Sequence, residues 1–306
     1  MVRLILGRIG QAALAGLILI TLLFVMVRAT GDPAFFLTGP TATAADREEI
    51  RQELGLDRPL WVQYGTYMSH VLKADLGESY RFDGVEVMDL VKARAPATLQ
   101  MAGAALLLTL VVAIPLGVYS AYYRSGPLDV FARSLAGVGQ AVPSFWLGLL
   151  LILLFAVRLG WLPSGGRGGL GYFILPTITL AFEPIARLTR LLRSSVIEEL
   201  SSDHVMFHRT KGLSDREILW KHVLRNSGLT SLTFVGIMTV GFLTGSVLVE
   251  TVFVWPGIGR LLVEAIEGRD FNVVQGLTLL IGLAFILGNL LVDLLYMVLN
   301  PRLRTS

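Results

Sequence analysis

Five stretches of this chain, 9–27, 95–123, 134–157, 227–249 and 273–301, run for 19 to 29 residues with no charge, except for Asp293 in the last. Inside a bilayer every backbone amide and carbonyl must be paired, which only helices and closed barrels achieve. A helical crossing takes about 20 apolar residues, whereas a barrel strand needs only about 10. These runs therefore predict helices. A shorter run, 168–182, continues past Glu183 through Ile185 and Ala186 and supplies a sixth. Hydrophobic residues make up 54% of the chain, charged residues only 16%, and the mean hydropathy is +0.66, which excludes an ordinary soluble domain. The expected fold is all-α and integral to the membrane, with six transmembrane helices.

With six spans both termini fall on one side. That side carries Arg3, Arg8, Arg124, Arg133, Arg302, Arg304 and the eight basic residues from Arg187 to Arg225; the short loops opposite carry Arg158, Arg167, Arg260 and Arg269. Fourteen against four predicts both termini in the cytoplasm. Val27–Arg28–Ala29 looks like a signal-peptidase site, but the 19-residue apolar run is longer than a signal core, so the first span is expected to stay. The 66-residue segment 31–96 then lies outside and, with 11 acidic and 7 basic residues, is soluble in character. Short helices are predicted over 45–54 and 60–72, the second carrying Trp61, Tyr64, Tyr67 and Met68, with Pro33, Pro40 and Pro59 as punctuation. The segment is too small for a large core of its own and is expected to pack on the outer face of the bundle. The loop 160–171 holds six glycines and Pro163 and is expected to be mobile.

The second informative feature is a polar hairpin at 202–225. Gly212 ends the short helical run 205–211 at a position that suits left-handed backbone, and Leu213 is placed to fold back on Phe207 as the apolar contact of a glycine cap. Ser214, three residues before Glu217, makes a capping box, with Leu213 and Ile218 spaced as a hydrophobic staple. So specified an elbow, outside the bilayer, predicts a docking element for a partner.

Chemistry elsewhere is sparse. The histidines, His70, His204, His208 and His222, make no H-E-x-x-H pair, and no G-x-S-x-G elbow occurs. None of the four lysines, Lys73, Lys92, Lys211 and Lys221, follows a glycine, so the chain has no phosphate-binding P-loop; energy from ATP would have to come through another subunit. Without cysteine there are no disulfides or thiolate metal sites, and no metal site is expected. The net charge of +3 reflects a basic cytoplasmic rim beside membrane lipid, with no support for nucleic-acid binding. Pro115, Pro143, Pro176 and Pro184 lie in or beside spans, either as fixed kinks or as bends for rocking motion. No internal repeat is present, which argues against an inverted-repeat transporter. Among intramembrane ionisable groups, Glu183 is either a cavity-facing anion on the translocation pathway or a structural partner of Arg187 one turn on. Asn289 and Asp293, one turn apart, are further pathway candidates, though an inter-helix or inter-subunit role suits Asp293 better. Glu250 precedes the string from Phe253 to Gly257 and is expected to fix that turn.

In order along the chain, Gly31–Asp32–Pro33–Ala34, Leu54–Gly55–Leu56–Asp57–Arg58–Pro59–Leu60, Asp75–Leu76–Gly77, Pro96–Ala97–Thr98–Leu99, Pro143–Ser144–Phe145–Trp146, Leu159–Gly160–Trp161–Leu162–Pro163, Trp255–Pro256–Gly257–Ile258–Gly259 and Asn300–Pro301–Arg302 resemble the permease subunits of ATP-binding-cassette importers for peptides and nickel, the first permease of the heterodimeric pair. The resemblance implies a type I importer permease fold and half of a translocation pathway for di- or oligopeptides. Nickel or metal chelates, glutathione and opines are the alternative cargoes. A proton-coupled secondary transporter using Glu183 and Asp293, and a non-transporting membrane scaffold, are the alternatives of other classes.

It also implies that the elbow, 202–214, is a coupling helix carrying an E-A-A-x-x-x-G motif. Its docking residues are Asp203, Phe207, His208, Arg209, Lys211, Gly212, Leu213 and Ser214, with Phe207 and His208 where the family has alanines. Arg190, Arg193 and Ser195 match the family at the end of the fourth span. The implied partners are a second homologous permease, two ABC ATPases and an extracytoplasmic solute-binding protein, which would touch segment 31–96 and the loop at Trp255, Pro256 and Gly257. This chain itself would bind no cofactor, ATP and Mg being used by the ATPases. Four regions are expected: 1–30, a first span with its N-terminus inside; 31–96, the external segment; 97–300, a five-helix core; and 301–306, a cytoplasmic tail. The location implied is the bacterial inner membrane.

Overall fold

The computed structural model describes residues 2–29, 43–53, 55–82 and 84–299. The sequence strings at 31–34 and 300–302, and Pro33, Pro40 and Leu54, lie outside them. Twelve α-helices run through the described residues: α1 Val2–Ala29, α2 Ala44–Glu53, α3 Leu60–Leu72, α4 Val87–Tyr122, α5 Pro127–Ala141, α6 Ser144–Leu151, α7 Gly171–Leu200, α8 Asp203–Thr210, α9 Asp215–Glu217, α10 Leu224–Val252, α11 Ile258–Glu267 and α12 Phe271–Leu299. π-helical turns at Ile152–Arg158 and Ile218–Val223 extend α6 and join α9 to α10. Extended structure among the described residues is limited to one isolated bridge, Glu78 with Glu86.

Among the described residues four helices are long and apolar enough to cross a membrane: Ile5–Ala29, Val87–Tyr122, Ser231–Val252 and Phe271–Leu295. The expected span over 134–157 is not one continuous helix. It is two arms, Pro127–Ala141 and Ser144–Arg158, bent by 106°. Pro143 has no N–H to give a continuing helix and forces the preceding residue out of helical backbone; Val142 is extended, φ −87° and ψ 119°. The expected fourth crossing lies within α7, which carries Glu183 and three arginines and is less apolar than the four helices above. Pro176 and Pro184 are accommodated inside that helix. The second expected span starts earlier than its uncharged run, because α4 already begins at Val87 and passes through Pro96.

The chain divides into two compact units, Met1–Pro96 with Gly257–Leu287, and Ala97–Pro256 with Gly288–Ser306. In the first, the described part of the external segment packs on α1, α11 and α12. Val87 is buried with Leu261, Ala265, Val273 and Leu277, while Tyr67, Met68, Val71 and Leu76 pack against Ile20, Leu23 and Leu279. Asp270, 1% exposed, ties this unit together. Its carboxylate accepts from the Ser79 hydroxyl and from the backbone N–H groups of Tyr80 (3.2 Å) and Arg81 (3.3 Å), and caps α12 by accepting from Val273 N–H (3.3 Å). Asn272 donates to Glu78 O (2.8 Å) on the same turn.

The second unit is built around α7, thirteen of whose residues are buried. Gly139 on α5 sets its closest approach: a Cβ there would lie 2.4 Å from Ala186 Cβ. The main core joins Met101, Ala105, Leu175, Leu188, Leu192, Phe242, Phe253 and Trp255. Beside it Asp129, 1% exposed, receives Arg193 Nη2 (3.0 Å) and Nε, together with Ser125 N–H (2.9 Å). The glycine-rich loop is tied down rather than free. Gly166 N–H donates to Phe253 O (2.8 Å), and a Cβ on Gly165 would fall 2.4 Å from that same oxygen.

Candidate functional site

The elbow of the hairpin is built as its residues dictate. Helix α8 ends at Thr210, and Gly212 follows at φ +77°, where a side chain is disfavoured. Gly212 N–H donates to Arg209 O (3.0 Å) and Leu213 N–H to His208 O (3.3 Å), the two bonds of a Schellman ending. Ser214 restarts the chain. Its Oγ accepts from Glu217 N–H (3.3 Å), while the Glu217 carboxylate is taken up by Lys221 Nζ (2.6 Å), so only the serine half of the capping box closes. Lys221 also holds the Glu217 carboxyl below its ordinary range.

The apolar side of the elbow is fastened to its own unit. Val205, Ile218, Leu219 and Val223 are buried with Val118, Ala121 and Val196, and Leu213 packs against this cluster, completing the staple with Ile218. The expected contact of Leu213 with Phe207 is corrected. Phe207 points outward at 55% exposure, with Lys211 Nζ 4.3 Å from its ring centre, because the apolar pocket for Leu213 lies on the opposite face of α8 with Val205. Polar contacts finish the attachment: the Tyr122 hydroxyl donates to Asp215 (2.8 Å) and Trp220 Nε1–H to the Tyr119 hydroxyl (3.3 Å).

The outward face presents Met206, at 71% exposure, with Phe207, Asp203, Arg209 and Lys211. His208 is half-buried instead. Its ring stacks on His222 at 3.9 Å between centroids, with His204 edge-on at 6.2 Å. Burial, then His222, His204 and Lys211 beside it, hold the His208 imidazole below its ordinary 6.5. His204 in turn meets Glu199 (3.0 Å). The histidines carried no recognisable motif in sequence; four-residue spacing within α8 was the only available sign.

The remaining candidates do not gather into one place. Glu183 forms an ion pair with Arg187, the structural alternative read from the sequence. Asn289 and Asp293 are half-buried on α12. The expectation that Trp255 and Gly257 face a docking partner is corrected, since both are buried. The Trp255 indole N–H donates to Ala97 O (2.9 Å), and its ring meets Phe173 edge-on at 4.6 Å. Trp255 N–H donates to Glu250 O (2.8 Å), and the buried Glu250 carboxylate accepts from Thr98 Oγ1 (2.7 Å). This turn is an anchor, fixed by Glu250 as expected. Pro256 is half-buried. The Asp129–Arg193 and Ser79–Asp270 pairs were not legible beforehand, because 64 and 191 residues separate the partners.

Comparison with known proteins fixes the class. The fold resembles that of the MetNI methionine ABC transporter in inward-facing conformations, with a TM-score of 0.58 over 70% of this chain and 97% of that one, at 17% identity. This multi-span, all-helical fold is that of a type I ABC importer permease. The chain belongs to the family described as binding-protein-dependent transport system inner membrane component, which matches residues 113–305, with the family's N-terminal region matching 1–102. Relatives include the dipeptide transport system permease of Lactococcus lactis, 37% identical over 99% of this chain and all of that one. The oligopeptide permease AppB of Bacillus subtilis is 36% identical over 91% of this chain and 92% of its own, and the glutathione permease GsiC of Salmonella paratyphi A is 39% identical over 94% of each. Membership implies a multi-pass inner-membrane subunit that works with a binding protein and an ATPase.

Proposed function

We propose that this chain is one of two homologous permeases lining the translocation pathway of a peptide importer, with two ATPases on the cytoplasmic face and a solute-binding protein outside. The single observation that supports it is the elbow: a capped, bolted helix whose exposed side offers Met206, Phe207, Arg209 and Lys211 to a partner. Both termini lie in the cytoplasm on this reading, and the domain plan is the one read from the sequence. Names of full-length relatives at 36–39% identity favour peptides, including glutathione, over metal. ATP with Mg is bound by the ATPases alone. Their closure draws two coupling helices together and opens the permease pair outward. The partners must bind the two states unequally, because equal binding shifts nothing. Glu183, Asn289 and Asp293 are the pathway candidates, and half-buried Pro256 with the external segment the candidate surface for the binding protein.

The test is ATP-driven uptake of labelled dipeptides, glutathione and nickel by proteoliposomes holding the full complex. Uptake without the ATPase subunits would overturn the assignment in favour of proton coupling. Crosslinking from a cysteine at Met206 to the ATPase locates the docking face, and crosslinks only to other subunits would sink it.

A further inference from the structure

Beside the close contact of α5 and α7 a cavity of about 340 Å³ opens, lined by Ala136, Gly137 and Arg133 from α5 and by Thr189, Arg190 and Arg193 from α7. Small side chains make the hole. A Cβ on Gly137 would meet nothing within 4 Å, whereas two residues on, at Gly139, the helices touch. Three guanidiniums border the cavity, and two of them share one carboxylate. Asp129 takes Arg193 on both oxygens and lies 3.6 Å from Arg133 Nε, while Arg190 has no ion pair among the described residues. A second, independent sign is the Thr189 hydroxyl. Thr189 is fully buried, lines the cavity, and its Oγ1 has no hydrogen-bond partner among the described residues. Helix threonines here commonly donate back to the preceding turn, as Thr179 does to Leu175 O (2.8 Å). A buried donor left unmade calls for an acceptor.

We propose that this cavity binds the phosphate of an anionic phospholipid headgroup. Arg190 and Arg133 supply the charge that Asp129 leaves uncompensated, the Thr189 hydroxyl donates to a phosphate oxygen, and the space beside Gly137 takes the polar part of the headgroup. Arg133 stands six residues into α5, about 9 Å from its start at 1.5 Å per residue. The proposed topology decides only which leaflet supplies the lipid, the inner one, whose negative surface basic pockets between helices exploit.

Native mass spectrometry of the assembled importer, titrated with phosphatidylglycerol, phosphatidylcholine and inorganic phosphate, tests the site. Expected is retention of phosphatidylglycerol over phosphatidylcholine, about fivefold weaker in Arg190→Gln, restored in Arg190→Lys, and abolished in Gly137→Leu, which fills the hole without touching a charge. Inorganic phosphate at millimolar concentration leaves the lipid bound. The proposal is overturned if phosphatidylcholine binds equally, if both variants retain the lipid, if free phosphate displaces it, or if an acidic side chain of another subunit occupies the cavity. A topology reporter fused at Ser125 reads the leaflet separately, so a wrong orientation and an absent lipid site give different results.

Discussion

Replacing Gly212 with valine isolates the mechanical role of the elbow. The glycine sits at φ +77°, and an added Cβ would meet nothing within 4 Å, so the penalty is purely conformational. An L-residue in left-handed backbone costs about 1–2 kcal/mol, and a β-branched one about 3 kcal/mol. At about 1.4 kcal/mol per tenfold, valine shifts the elbow about a hundredfold towards forms lacking the Schellman bonds of Gly212 and Leu213. Asparagine tolerates this backbone and leaves the turn intact; alanine falls between. The assay is ATP hydrolysis stimulated by the loaded binding protein, together with uptake, in proteoliposomes of the full complex. Expected coupling runs glycine, then asparagine, alanine and valine, with assembly unchanged. Wild-type coupling in Gly212→Val would refute the role of the elbow. Asparagine as damaging as valine would show that a side chain, and not the backbone, is what the partner rejects.

Acid weakens the same element. His208 is held below 6.5, so the closed elbow disfavours a proton that the open one accepts; its stability is complete above pH 6.5 and falls as pH drops beneath it. Facing the ring are His222, His204, Lys211 and, through His204, Glu199. Protection factors for the amides of 205–213, with the intrinsic pH dependence of exchange divided out, should fall between about pH 7.5 and 5.5, and a His208→Phe variant with the same dependence would count against it. Asp129→Asn leaves Arg193 without its counter-charge and is expected to cost about 3 kcal/mol; thermal unfolding unchanged within about 0.5 kcal/mol would remove that pair from the stabilising contacts. Trp255→Phe removes the indole donor, while the Ala97 carbonyl keeps its place in the α4 ladder, and is expected to cost about 0.5–1.5 kcal/mol, checked in the same melt, where no loss would refute the anchor. In Glu183→Gln, uptake of a cationic substrate should fall more than that of a neutral one, and equal uptake of both would confine Glu183 to its pair with Arg187.

Local rules were legible where local physics decides. The helix read over 60–72 is α3 to the residue, because Pro59 precedes it and an apolar face runs its length. Gly212 and Ser214 declared their backbone states for the same reason. Pro143 announced a bend within 134–157, but neither hydropathy nor a lone proline fixes one as sharp as 106°. The resemblance implied a partner contact at Trp255, and only its long-range partners Ala97 and Phe173 reveal an anchor. The basic cavity was invisible because Gly137 and Ala136 look like ordinary membrane residues until α7 is set beside them.

The 106° corner bears on how cells must make this polypeptide. The Pro143 carbonyl accepts from Leu147 N–H (3.0 Å), but Ala141 stands exposed in the lone chain, and hydrocarbon offers its backbone no partner. A copy produced in excess of its companions is thus an unfinished object, apt to be cleared by membrane proteolysis, and its synthesis has to keep step with whatever shields that bend.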